Sequence, residues 1–266
     1  MNSQKKPRNN RRIKIFGERN TGTRAVAQML RAHRGVVINV PRPPDASFDM
    51  LMAQINSTLK GFRHKLFQDT LIDARLRRLK AISAWKHTAP VVDESFAEHG
   101  ASVLFMVRDP YSWATSFFRH PYHARAHTPD RLEDFLQQPW LTMQRDNTAP
   151  VLTSPLVLWN EKLRAYRAFA LAAPVPSTVL KFEDFVLDPV AALGAALVDF
   201  GISSTGLAEA NTTKKNGLSA RKRVRYYKEN SWQKEISPEA ARLINSYIDW
   251  DVATAFGYTM RDPAEF

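Results

Sequence analysis

The chain has 266 residues, 44% of them hydrophobic and 24% charged, with no cysteine and a net charge of +12 at pH 7. This is an ordinary globular composition; it excludes disulfides and cysteine-ligated metals and fits a reducing cytoplasm, among other places. No apolar run approaches the ~20 residues of a membrane span, and the charge favours anionic partners (nucleotides, sulfated or phosphorylated sugars, nucleic acid, an acidic membrane surface) without choosing among them.

The first twelve residues hold Lys5, Lys6, Arg8, Arg11 and Arg12 and read as a disordered, solvated basic arm. No signal-peptide apolar region follows, because Phe16 leads straight into a polar loop. Residues 13–266 are therefore expected to form a single domain that stays in the cytoplasm. Ile13 to Phe16 is short and β-prone, Gly17 and Gly22 punctuate a loop, and Ala25 to Leu30 has apolar residues at helical spacing. Strand, loop and helix in that order aim backbone N–H groups and the positive end of a helix dipole at one point, where phosphate or sulfate is the usual occupant.

Val36 to Val40 predicts a second strand, broken by Pro41, Pro43 and Pro44. Leu71 to Lys80 is Arg-rich and helix-prone, and Ala81 to Trp85 reads as a short buried strand ending in Lys86-His87. Val103 to Val107 is a continuous apolar run, as a strand buried on both faces requires. Arg108-Asp109-Pro110 leaves its end, where an open α/β sheet binds ligands, and Tyr111 to His120 follows as a helix with Pro110 in its first turn. Arg108 and Ser116 are placed to converge on one phosphate. His120, His123 and His127 lie in a polar stretch without carboxylate or Cys at ligand spacing, so no metal site is assigned there.

Helices are expected over 131–138 and 155–172, the latter with Leu156, Trp159, Leu163, Tyr166 and Phe169 as a core stripe. Val179 to Phe182 predicts another strand, 183–189 a turn, and Val190 to Phe200 a helix. A loop from Gly201 to Gly217 leads into Lys214, Lys215, Arg221, Lys222, Arg223, Arg225 and Lys228, with Tyr226 and Tyr227 among them. Ser237 as N-cap and Pro238 at N1 open a last helix ending near Trp250.

The spacing Gly17-x4-Gly22 is that of a Walker A loop, G-x4-G-K-S/T, but the next residues are Thr23 and Arg24, so the phosphate-bridging Lys and the magnesium hydroxyl are both displaced. Such a loop keeps an anion cradle and suits transfer of a singly charged group without magnesium. It resembles the 5′-phosphosulfate loop of the sulfotransferases that use 3′-phosphoadenosine 5′-phosphosulfate (PAPS), whose core reads K/R-S/T-G-T; here it is Asn20-Thr21-Gly22-Thr23, with Asn at the usual basic position and Arg19 one residue earlier. Arg108-Asp109-Pro110 with Ser116 eight residues after the Arg is similar to the family's 3′-phosphate motif. Lys86-His87 followed by Pro90 resembles its K-x-H-x-P segment loosely. The Glu183-Asp184 and Phe256-Gly257-Tyr258 stretches also match family patterns, and no chemistry is assigned to them.

The resemblance implies a three-layer, P-loop-like α/β fold with a mostly parallel central sheet flanked by helices. It implies PAPS as co-substrate, no metal, and release of 3′-phosphoadenosine 5′-phosphate (PAP). Arg19, Asn20, Thr21, Gly22, Thr23, Arg24, Arg108 and Ser116 would bind the nucleotide. His87 would be the general base, with Arg19 and Lys86 as catalytic cations. The acceptor would be a small molecule or a glycan, positioned by segments around 41–75 and 120–150; the capsule-type variant of the loop, G-E-R-N, points to a carbohydrate. Two other readings, a nucleotide-dependent kinase and a non-enzymatic nucleic-acid binder, explain less: the first needs magnesium-bridged charge that this loop does not support, and the second leaves the loop and Arg108/Ser116 unexplained.

Overall fold

The computed structural model describes residues 11–39, 46–58, 61–76, 79–121, 127–209 and 220–266. The basic arm up to residue 10, Pro41, Pro43, Pro44, His123, Lys214 and Lys215 lie outside them. The elements in chain order are β1 (Arg11–Gly17), α1 (Thr23–Ala32), β2 (Val36–Asn39), α2 (Ala46–Thr58), α3 (Gly61–Leu76), α4 (Ser95–Glu98), β3 (Ala101–Val107), α5 (Pro110–Arg119) and α6 (Leu132–Gln137). There follow β4 (Trp140–Leu141), β5 (Val151–Leu152), α7 (Pro155–Ala172), β6 (Ser177–Lys181), α8 (Phe182–Leu187), α9 (Pro189–Asp199), α10 (Ala220–Lys228), α11 (Pro238–Tyr247) and α12 (Trp250–Ala255).

The main sheet is parallel, in the order β2-β1-β3-β6, and β4 and β5 form a separate antiparallel pair. Alternation along the strands builds the two covering layers. Ile13 and Ile15 of β1 with Leu104 and Met106 of β3 meet Val26 and Met29 of α1, Phe185 of α8 and Leu193 of α9. Phe16, Val103, Phe105 and Val107 face the other way, onto Trp113 of α5, Trp159, Tyr166 and Phe169 of α7, and Ile244 of α11. Both faces of β3 are therefore apolar, and the strand is buried along its whole length. The three-layer α/β architecture is the expected one.

Helix starts repeat one device, a capping side chain followed by Pro at N1: Asp109 accepts from Ser112 N, Ser154 from Leu156 N, Asp188 from Ala191 N and Ser237 from Ala240 N. Four expectations change. β1 begins at Arg11, so two residues given to the arm belong to the sheet, although their side chains are exposed. The 183–189 stretch is mostly the short helix α8. The last helix stops at Tyr247 and restarts as α12 after Asp249 caps Val252. Ala81–Ser83 is a 3-10 turn and not a strand. Its amides are claimed locally, Ala81 N by Asp93 Oδ2 at 2.8 Å and Ile82 N by Ser95 Oγ at 3.1 Å. β1 has β2 and β3 on its two sides, so no edge beside it remains open for this segment. Among the described residues no helix is long and apolar enough to cross a membrane.

Candidate active site

The centre of the site is the turn from Gly17 to Thr23. A Cβ on Gly17 would come within 2.6 Å of Met106 Cβ and 2.7 Å of Thr23 Cγ2, so only glycine lets β1 turn this tightly against β3. Asn20 and Gly22 adopt left-handed backbone, φ 65° and 84°, and Thr21 Oγ1 donates to Glu18 O at 2.6 Å. Gly22 is the N-cap of α1 and supplies no side-chain acceptor. Ala25 N and Val26 N donate to Gly22 O, and the N–H groups of Thr23 and Arg24 lie ahead of that first bond, which is the arrangement an anion completes. Thr21 and Thr23 are buried in the turn, and Arg24 is exposed on the first turn of the helix.

Arg108, at the end of β3, joins this turn to α5. Its Nη1 donates to Asn20 O at 2.8 Å, its Nε to Ser112 Oγ at 2.9 Å, and its Nη2 to Ser112 O at 2.8 Å and Tyr227 Oη at 3.0 Å. The guanidinium lies 4.3 Å from the Phe182 ring centre. Ser116 joins the same turn differently, its carbonyl accepting from Asn20 Nδ2 at 3.4 Å. Trp113 Nε1 adds a third tie, to Arg19 O at 2.9 Å. Arg108 and the Ser116 carbonyl thus both meet Asn20 of the loop, and the serine that Arg108 touches is Ser112. Tyr227, on the basic helix α10, also reaches the site; the sequence marked that segment only by its charge. Glu183 braces the corner, accepting from Asp109 N at 3.0 Å and bonding Tyr258 Oη at 3.1 Å, and burial pushes its carboxyl pKa up.

Lys86 and His87 reach the loop without a strand beneath them. Gly17 N donates to Lys86 O at 2.9 Å, and His87 Nδ1 lies 2.5 Å from Gly17 O. A carbonyl only accepts, so Nδ1 carries the proton and the lone pair of the neutral imidazole is on Nε2. Burial, then Arg19, Lys86 and Lys162, hold the His87 pKa well below its ordinary 6.5, against the opposing bond from Gly17. The ring is neutral at pH 7. Burial, with Arg24 and Arg31 nearby, lowers Lys86 to about 8.

Arg19 behaves unlike the other cations. It is 3% exposed, with Nη1 2.9 Å from Glu18 Oε1 and Nη2 3.2 Å from Asp146 Oδ1. Lys162 of α7 completes the group, 3.2 Å from Asp146 Oδ1. Burial works to lower the Arg19 pKa, but Asp146 and Glu18 outweigh it and raise it; burial likewise opposes ionisation of Asp146, which Arg19 and Lys162 nonetheless keep well below the usual carboxylate range. Its guanidinium is thus spent inside the protein, behind the loop. Asp146 and Lys162 escaped sequence reasoning because one lies in a short turn and the other in a helix read as core. The only available signal was a Lys beside Leu163 in an apolar stripe.

No protein-family model matches this chain, and no curated protein does. Solved structures that resemble it include a sulfotransferase from Alicyclobacillus acidocaldarius (14% identity, 88% of this chain and 95% of that one, TM-score 0.44), mouse sulfotransferase SULT7A1 complexed with PAP (15%, 90% and 83%, 0.49), and the sulfotransferase domain from the curacin biosynthetic pathway (13%, 94% and 98%, 0.43). All three are sulfotransferases.

Proposed function

We propose that this chain is a PAPS-dependent sulfotransferase acting on a hydroxyl or amine acceptor. The observation that carries the reading is the junction at Asn20, where the uncapped N-terminus of α1 meets Arg108 and Ser116 within one hydrogen-bonded unit. Two anion-binding groups so joined suit a ligand with two separated phosphates, and the donor set is composed of N–H, hydroxyl and guanidinium groups, all suited to anionic oxygen. PAPS would supply the sulfuryl group, with PAP as its leaving group.

The chain's own residues divide the work as follows. The N–H groups of Asn20, Gly22, Thr23 and Arg24 and the hydroxyl of Thr23 hold the 5′ phosphosulfate end, Thr21 bracing the turn through Glu18 O, and Arg108 with Ser116 holds the 3′-phosphate, Arg108 Nη2 exchanging its bond to Tyr227 Oη for one to a phosphate oxygen. Neutral His87 takes the acceptor proton on Nε2 while Gly17 O steadies Nδ1. Lys86 stabilises negative charge on the sulfuryl and bridging oxygens. Arg19, named with Lys86 as the alternative cation, is a positioning residue in this assignment because both its Nη groups are held by Glu18 and Asp146.

The test is thermal and chemical. PAP should raise the melting temperature, adenosine 5′-phosphate should do so far less, and radiolabelled sulfate should pass from PAPS to one of a panel of sugars, phenols and amines. Equal stabilisation by both nucleotides removes the case for Arg108 and Ser116.

A further inference from the structure

Trp85 touches three parts of the site at once, and the reaction as assigned does not use it. The guanidinium carbons of Arg19 and Arg145 each lie 4.7 Å from its ring. His87 meets the same ring edge-on, with centroids 4.9 Å apart and planes at 88°. Arg19 comes from the donor loop and is held by Glu18 and Asp146. Arg145 comes from the short turn at Gln144–Asp146 and is held by two carboxylates of α3, Asp69 at 2.5 Å and Asp73 at 2.6 Å. Carboxylates hold both Nη groups of each cation, and each offers the indole its planar face, a geometry in which Arg stacks well.

A tryptophan that merely fills a core would be fully buried among apolar side chains, whereas Trp85 is only partly buried and has two cations and an imidazole around it. Beside it is a cavity of about 300 Å³ whose wall includes Asp73, Leu76, Trp85, Pro90, Gln144 and Arg145. α3 and the 144–146 turn belong to the two segments that sequence reading assigned to the acceptor. They reach the donor loop by two routes, the direct ion pair of Asp146 with Arg19 and the stacked path Asp69/Asp73, Arg145, Trp85, Arg19.

We infer that Trp85 is a positioning residue: it holds the His87 imidazole edge-on with Nδ1 against Gly17 O, and it couples the placement of α3 to the donor loop through Arg145 and Arg19. What His87 does rests on the sulfotransferase reading; how His87 is held does not.

The test uses the full chain with Trp85→Leu, Trp85→Phe and Arg145→Gln, and reads the His87 titration by NMR, assigned with His87→Gln, beside PAP affinity and steady-state kinetics. The charged groups facing the imidazole are Arg19, Lys86 and Lys162, and all three are left in place. In Trp85→Leu, water reaches the ring and its pKa should rise by about one unit or more toward the unperturbed value of roughly 6.5. That variant should lose about tenfold or more in kcat with PAP affinity within about threefold, and Trp85→Phe should recover most of it. Arg145→Gln should raise the acceptor KM by about tenfold with PAP affinity unchanged, and should also shift the His87 titration. An unchanged titration in Trp85→Leu overturns the proposal, as does a parallel fall of PAP affinity with kcat. Should Trp85→Leu not fold, the titration in Arg145→Gln decides by the same criterion. If the wild type binds no PAP and transfers no sulfate, the sulfotransferase reading fails while the titration still judges Trp85.

Discussion

Replacing Asp146 by Asn probes the buried charge group that underlies the loop. Asp146 is 1% exposed, Arg19 3% and Lys162 0%, so neither cation has water to fall back on once the carboxylate is gone. Removing one partner of such a group typically costs 3–5 kcal/mol, because an uncompensated charge stays buried. Two features place this case at the lower end. Glu18 remains 2.9 Å from Arg19 and 3.8 Å from Lys162, and the amide oxygen of Asn can still accept from Met143 N, as Oδ2 does at 2.8 Å. A loss of about 3 kcal/mol corresponds to roughly 6–10 °C in melting temperature for a chain of this size. The pH dependence has a definite sign. The Asp146 carboxyl is depressed in the folded state, so its contribution is present above the ordinary carboxylate pKa, about 3.9, and is lost as pH falls below it. The gap between wild type and Asp146→Asn in denaturant melts should therefore be constant near neutrality and narrow in acid. PAP affinity should change less than stability, because the ion group lies behind the loop. A melting temperature within about 2 °C of wild type would refute the reasoning, since it would mean the cations find other compensation.

Three further outcomes are expected. Lys86→Ala should lower turnover by more than about tenfold with PAP affinity little changed, whereas Asn20→Lys should be tolerated; wild-type turnover in Lys86→Ala would remove Lys86 from the chemistry. His87→Ala should lower kcat by about 10²–10⁴-fold, and the rising acid limb of the wild-type rate profile should lie below the usual imidazole range, because the folded pKa is depressed. A wild-type limb above pH 7, or its persistence in the variant, would place the base elsewhere. Lys14, buried on β1 with Nζ on Ala84 O and a pKa lowered by burial from 10.5 to about 7, should make stability rise with pH above about 7, where the unfolded chain holds the proton that the folded chain has lost. The slope cannot exceed about 1.4 kcal/mol per pH unit. Melts at pH 7, 8 and 9 should show Lys14→Met lacking that rise, and equal slopes in the two proteins would sink the argument.

Local pattern was sufficient wherever a residue's role depends on its neighbours in the chain. The Gly17–Gly22 turn, the apolar run of β3 with Arg108 at its end and the Pro110 and Pro238 helix starts were all legible, because turn geometry, strand burial and helix capping act over a few residues. Side-chain pairings across the fold were not. That Arg19 turns inward to Asp146, 127 positions away, that Arg108 bonds Ser112 and Tyr227, and that Lys162 closes a buried ion group follow from which elements the sheet order makes neighbours. The Ala81–Trp85 segment shows the limit most directly: its apolar run has strand character, but β1 already has a partner on each side, and Asp93 and Ser95 take its amides instead. A sequence states the hydrogen-bonding demand of a segment, and only the assembled sheet decides whether an edge is left to meet it.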